Sequence, residues 1–214
     1  ISACVSSLSV ANINFEGFDA SKTMYAGQAY GYGAAINSRS YSLCVSNCIF
    51  KSNKTEWNGV ICSQNIPNTV QSFSLIDCEF ISNNVNKGRG LIEAYGECLI
   101  SGCVFDSNYI PGGNSNYVIG SVPNNTVISN CIFKAHRSGA GQYIQSPLFS
   151  SQVVNFIGCK FNGIMSKLMS TYVGILNVAN GSSFVDCIFE NCGQLASSGN
   201  YLVPLVLSKS YNFD

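Results

Sequence analysis

Six segments of this chain superpose almost residue for residue: VSNCIF, LIDCEF, ISGCVF, ISNCIF, FIGCKF and FVDCIF. Their cysteines, Cys48, Cys78, Cys103, Cys131, Cys159 and Cys187, follow one another at intervals of 30, 25, 28, 28 and 28 residues. Phenylalanine stands two places after each, at Phe50, Phe80, Phe105, Phe133, Phe161 and Phe189. A fixed period of this size belongs to repeat architectures, where one unit is too small to bury a core and stacking completes it.

Aligned on the cysteine, the columns describe a strand, a bend and a second strand. Three places before it stand Val45, Leu75, Ile100, Ile128, Phe156 and Phe184, all large and apolar. One place before it stand Asn47, Asp77, Gly102, Asn130, Gly158 and Asp186, the residue types that tolerate a left-handed backbone. Side chains alternate along a strand, so Cys and Phe share a face. A third apolar stretch precedes each segment, with Ile36, Ile92, Ile119 and Ile175 lying 11 or 12 residues before their cysteine. Ile61 lies 17 before Cys78, so that turn must bulge.

Three short strands per 25 to 30 residues, in matching register, predict an all-β, right-handed parallel β-helix of about six to seven coils. The Cys and Phe columns then form an interior ladder at roughly the interstrand spacing of about 4.8 Å. A sandwich or closed barrel would show strands and turns without this columnar identity. Residues 1–214 read as a single domain: 1–30 a divergent first coil with Ile13 in the cysteine place, 31–192 the regular coils, 193–214 the C-terminal end. With no evident capping element at either end, the chain is expected to be a segment of a longer protein.

Only 10% of the residues are charged and the net charge is zero. That balance argues against nucleic acid, which requires a basic patch, and against capture by an acidic membrane surface. No apolar run approaches the ~20 residues of a membrane span. The six columnar cysteines are expected to be free thiols in the core, because stacked neighbours have parallel Cβ vectors, poor geometry for a disulfide. Any disulfides then come from Cys4, Cys44, Cys62, Cys98 and Cys192. The total of eleven is odd, which leaves at least one thiol free or paired outside the chain.

Three sequons, at Asn53, Asn124 and Asn180, fall at predicted turns and are candidate N-glycosylation sites. No convincing carboxylate cluster emerges for glycoside chemistry: Asp77 and Asp186 share a column four coils apart, and Glu93 and Glu97 meet no matching acid on a neighbouring coil. His136, the only histidine, stands where sibling coils have Asn53, Asn83 and Asn108, and reads as a turn residue. No catalytic residue, metal site or cofactor is assigned. One outward column does point to a contact. Immediately after the ladder cysteines come Ile49, Glu79, Val104, Ile132, Lys160 and Ile188, and the apolar Ile49, Val104, Ile132 and Ile188 form a stripe that another chain or a neighbouring segment could cover.

The runs Phe50-Lys51-Ser52-Asn53, Phe80-Ile81-Ser82-Asn83 and Phe105-Asp106-Ser107-Asn108 match an FxxN motif, and Gly31-Tyr32-Gly33-Ala34-Ala35-Ile36 is a loose GGAI motif. Over roughly residues 31–192 the chain resembles the polymorphic outer membrane protein repeats of chlamydiae and the similar surface proteins of trichomonads. The resemblance implies a right-handed β-helix displayed at a cell surface and associated with adhesion. The last three coils depart from the motif, reading FKAH, FNGI and FENC.

The expectation is therefore a non-enzymatic extracellular or cell-surface module, acting as stalk, adhesin or coat. Its partners would be other protein chains or host or cell-surface ligands, met through a coil face and the loops 19–30, 54–58, 84–90, 109–116 and 137–145. A structural subunit of a filament or cilium-associated assembly, with lateral self-association, is the alternative. A polysaccharide-acting enzyme ranks below both.

Overall fold

Every residue one place before a ladder cysteine adopts the left-handed conformation. Asn47, Asp77, Gly102, Asn130, Gly158 and Asp186 have φ of 49°, 51°, 66°, 52°, 61° and 52°, and Asn12 in the divergent first repeat has 59°. An L residue with a Cβ pays roughly 1–2 kcal/mol to sit there, least for Asn and Asp, whose side chains bond locally. The column therefore marks a sharp corner built at the same place in each repeat.

The computed structural model describes residues 1–20, 34–55, 59–85, 90–110, 117–134, 137–138, 152–167, 176–179, 181–195 and 206–208. Among them there is no helix, and all strand pairings between successive repeats are parallel. The chain is a parallel β-solenoid with four principal sheets. Sheet I has five strands: Ser2–Ala3, Ile36–Ser38, Ile61–Ser63, Gly90–Glu93 and Tyr117–Ser121. Sheet II has seven: Ser7–Ala11, Ser42–Ser46, Ser72–Ile76, Glu97–Ser101, Thr126–Ser129, Val154–Ile157 and Ser183–Val185.

Sheet III follows the corner and also has seven: Asn14–Glu16, Ile49–Lys51, Glu79–Ile81, Val104–Asp106, Ile132–Lys134, Lys160–Asn162 and Ile188–Glu190. Sheet IV has six short strands: Lys54–Thr55, Asn84–Val85, Tyr109–Ile110, Arg137–Ser138, Met165–Lys167 and Gly193–Leu195. Leu176–Val178 pairs separately with Val206–Ser208.

Two expectations from the repeat are corrected. Each full turn has four strands rather than three, because a second left-handed corner follows the phenylalanine. Gly17, Ser52, Ser82, Ser107, Gly163 and Asn191 occupy it, at φ between 52° and 72°. The strand beyond is only two or three residues long, too short to show a periodic pattern. Six to seven coils were expected; among the described residues, four consecutive turns carry all four strands, beginning at Ile36, Ile61, Gly90 and Tyr117. Turns on either side contribute only some faces, which accounts for the unequal sheets.

The core is a set of stacked columns. The Phe15, Phe50, Phe80, Phe105, Phe133, Phe161 and Phe189 rings lie nearly parallel at centroid distances of 4.6–5.1 Å. A second stack joins Phe156 to Phe184 at 4.8 Å. Cys48, Cys78, Cys103, Cys131 and Cys159 are buried beside them, and all eleven cysteines are free thiols. Ile36, Ile61, Ile92 and Ile119 line up in register along sheet I.

The bulge expected before Cys78 is a loop over residues 64–71. Buried Gln71 holds it: its Nε2 donates to Ser40 O at 3.1 Å and Gln64 O at 2.9 Å, and its Oε1 accepts from Ile66 N at 2.9 Å. Gly96 lets the next rung pass close by, since a Cβ there would overlap the Gln71 carbonyl.

Candidate functional site

In a solenoid the interior is structural and the outer columns are what another molecule meets. The FxxN motif turns out to belong to the interior. Asn53, Asn83 and Asn108 are buried just past the second corner. Asn83 Nδ2 donates to Phe50 O at 2.8 Å and to Asn108 Oδ1 at 3.0 Å. Its Oδ1 accepts from Asn53 N at 2.9 Å and Asn53 Nδ2 at 3.0 Å. Asn53 Nδ2 also donates to Phe15 O at 2.9 Å. The amides form a ladder that satisfies backbone groups left over where the chain turns.

That placement bears directly on the sequons. Asn53 is not a turn residue open to solvent; both hydrogens of its amide are engaged inside the solenoid, and an N-linked glycan there is incompatible with this packing. Asn124 is exposed, its Oδ1 accepting from Val153 N at 3.1 Å. Thr126 of the same sequon is buried and donates to Pro123 O at 2.7 Å. Asn180 and His136 lie outside the described residues, as do most of the loops expected to form a working surface. Residues 54–55, 84–85, 109–110 and 137–138, expected as loops, are the strands of sheet IV.

The cysteine ladder has polar work besides packing. Cys103 N donates to Cys131 Sγ at 3.4 Å, and Cys48 N to Cys78 Sγ at 3.4 Å. Each thiol in turn lies near a carbonyl two places earlier, as Cys131 does with Ser129 O at 3.2 Å. Burial raises the pKa of Cys48. Elsewhere, burial pushes Cys98 up to about 12. Cys62 also rises to about 12, through burial and the Glu93 carboxylate, whose Oε2 is 3.9 Å from its sulfur. These thiols are poor nucleophiles at neutral pH, because the thiolate is the reactive form. Among the described residues no group of three or more His, Cys, Asp and Glu is placed to hold a metal ion. Glu93 and Glu97 fall on different sheets, Glu93 buried in sheet I and Glu97 exposed at the start of the central strand of sheet II.

Among the described residues two open surfaces stand out. The first is the outer face of sheet III, where Ile49, Glu79, Val104, Ile132, Lys160 and Ile188 stand one per strand in strict register. Ile49 is 38% and Ile188 51% exposed, with Val104 and Ile132 half-buried by neighbours in the same column. Beside it runs a second outward column with Glu16, Lys51, Ile81, Asp106, Lys134, Asn162 and Glu190. Ion pairs tie this face together: Lys51–Glu16 at 2.9 Å, Lys134–Asp106 at 3.0 Å and Lys160–Glu190 at 2.9 Å. The hydrogen bond from Lys51, then its charge, holds the Glu16 carboxyl below its ordinary pKa.

The second surface was not expected from the sequence. A groove of about 550 Å³ on the outside of sheet II is lined by Ser72, Ser74, Glu97, Leu99, Asn124 and Val127. It lies beside the Gln71-clamped loop, whose Val70 is 85% exposed. The only cue was the long Ile61-to-Cys78 spacing, which locates the loop but not the groove. Among the described residues no helix is long and apolar enough to cross a membrane. No protein-family model matches this chain, and neither a curated protein nor a solved structure has a significant match to it.

Proposed function

We propose that this chain is a non-enzymatic module of an extracellular or cell-surface protein, a stalk, adhesin or coat element that works by presenting its outer faces to other molecules. The observation that carries the reading is the open column of sheet III, with Ile49 and Ile188 exposed on a face of low net charge. Its resemblance to polymorphic outer membrane protein repeats supports a surface location, and the exposed Asn124 offers a site for a glycan. Right-handed winding is the hand that parallel crossover connections favour. A structural subunit of an ordered assembly is the second reading, favoured by the regular spacing of that same column.

The test has two parts. A membrane-impermeant amine reagent applied to intact source cells should label the protein before lysis; labelling only afterwards removes the extracellular reading. The Ile49→Glu/Ile188→Glu double variant should keep its strand content and lose retention at the cell surface. Retention equal to that of the unaltered chain would sink the role given to sheet III.

A further inference from the structure

The two outward columns of sheet III are self-complementary when reversed. From Ile49 onward the first reads Ile49, Glu79, Val104, Ile132, Lys160, Ile188, one residue per strand. Reversal sets Ile49 against Ile188, Glu79 against Lys160 and Val104 against Ile132. The second column reads Lys51, Ile81, Asp106, Lys134, Asn162, Glu190 on the same six strands. Reversed about the same centre, it sets Lys51 against Glu190 and Asp106 against Lys134, with Ile81 against Asn162.

We propose that a second copy of this chain packs on sheet III through a two-fold axis parallel to the strands, midway between Val104–Asp106 and Ile132–Lys134. This deepens the reading of the outer faces as contact surfaces, and rests on it, by naming the partner. Rotation about such an axis reverses the order of the strands but keeps each residue's place along its strand. Each column therefore meets itself in reverse, the isologous arrangement of a closed dimer. Apolar residues then face apolar residues in the first column, and opposite charges face each other in both.

The competing arrangements fit worse. A two-fold axis parallel to the solenoid keeps the strand order and exchanges the columns. It would set Ile49 on Lys51, Ile81 on Glu79, Val104 on Asp106, Ile132 on Lys134 and Ile188 on Glu190, an apolar side chain against a charge on five of six strands. Moving the reversed copy by one strand sets Ile49 on Lys160 and Glu79 on Ile132. Either choice strips water from these charges without giving them an opposite charge across the interface. The intrachain Lys134–Asp106 and Lys160–Glu190 pairs stay intact in the proposed dimer, which adds an opposite charge across the interface.

Six strands at about 4.8 Å and three residues at about 3.3 Å make a face of roughly 24 by 10 Å. That is small beside the roughly 800 Å² per partner of a standard interface, so the association is a weak one.

Sedimentation equilibrium of the 214-residue chain, carried to about 1 mM to reach the weak range, should show a monomer–dimer equilibrium. Glu79→Lys should weaken it at least tenfold, and adding Lys160→Glu should restore it, because the swap re-forms the pair across the axis. A photo-crosslinker at position 49 should link to the strand that contains Ile188 of the second copy. A chain monomeric throughout, or a link from position 49 to the same strand of the second copy, overturns the proposal. A monomer whose cell-surface retention still falls with Ile49→Glu/Ile188→Glu leaves the contact reading standing and ends self-pairing; if neither changes, both fall.

Discussion

At the scale of one residue, the ladder cysteines illustrate why a repeat keeps a residue type. The corner before each cysteine turns the chain, and the cysteine N–H then points along the solenoid rather than into a sheet ladder. In two rungs the next sulfur receives it at 3.4 Å, while that sulfur's own hydrogen faces a carbonyl. A thiol is small and apolar enough for the core, yet it has a weak acceptor and a weak donor. Cys131→Ala removes the acceptor for Cys103 N and leaves a buried donor unpaired, at a cost of about 1–3 kcal/mol before any packing loss. Cys131→Ser keeps both polar functions and should lose less than half as much. Urea unfolding of the two variants decides it: equal losses would mean that the sulfur serves by volume alone.

At the scale of the element, what could be read in the sequence depended on size and polarity. The Phe and Cys columns were legible because large inward residues recur at one spacing and leave few alternatives. Asn53, Asn83 and Asn108 were misread as turn residues because asparagine is common in turns, and nothing local shows that its amide faces inward. Sheet IV was missed because two residues make no alternation. The groove on sheet II was invisible because Ser72 and Asn124 are separated by two turns of the solenoid, and neither has a special neighbour in sequence.

Sheet I departs from the simple inside–outside pattern. Ile61, Cys62 and Ser63 are all buried, as are Gly90, Leu91, Ile92 and Glu93, so both faces of these strands are covered. This burial has a pH consequence. Cys62 in sheet I and Cys98 in sheet II are acids whose folded pKa is raised from the ordinary 9.0 to about 12, so folding prefers their neutral forms. Their contribution is whole below about pH 9 and is lost as the pH rises toward 12, each thiol adding a slope of about 1.4 kcal/mol per pH unit within that window. The urea midpoint should therefore hold from about neutral to mildly basic pH and fall above about pH 9. A Cys62→Ser/Cys98→Ser variant should fall less steeply; an identical alkaline slope would mean that these two thiols are not its source.

At the scale of the whole molecule, a solenoid has no single centre, and each rung is stabilised mainly by the rungs on either side. Stability should then be graded along the axis rather than uniform. Phe105 and Cys103 have a rung above and below and are fully buried. Phe184, Cys187, Phe189 and Cys192 are only partly covered, although their rings still stack on Phe156 and Phe161 at 4.8 and 4.6 Å. Cys187 and Cys103 occupy the same column, so a difference between them reports position along the solenoid rather than side-chain type. Alkylation under native conditions should modify Cys187 well before Cys103, and amide exchange should be faster in Ile188–Glu190 than in Val104–Asp106. In the proposed dimer, Ile188–Glu190 faces Ile49–Lys51 of the second copy, so raising the protein concentration should slow exchange there while leaving Leu75 and Ile100 in the interior unchanged. Equal rates for Cys187 and Cys103 would mean that the rungs open together, as one cooperative unit, and that the axis has no weak end.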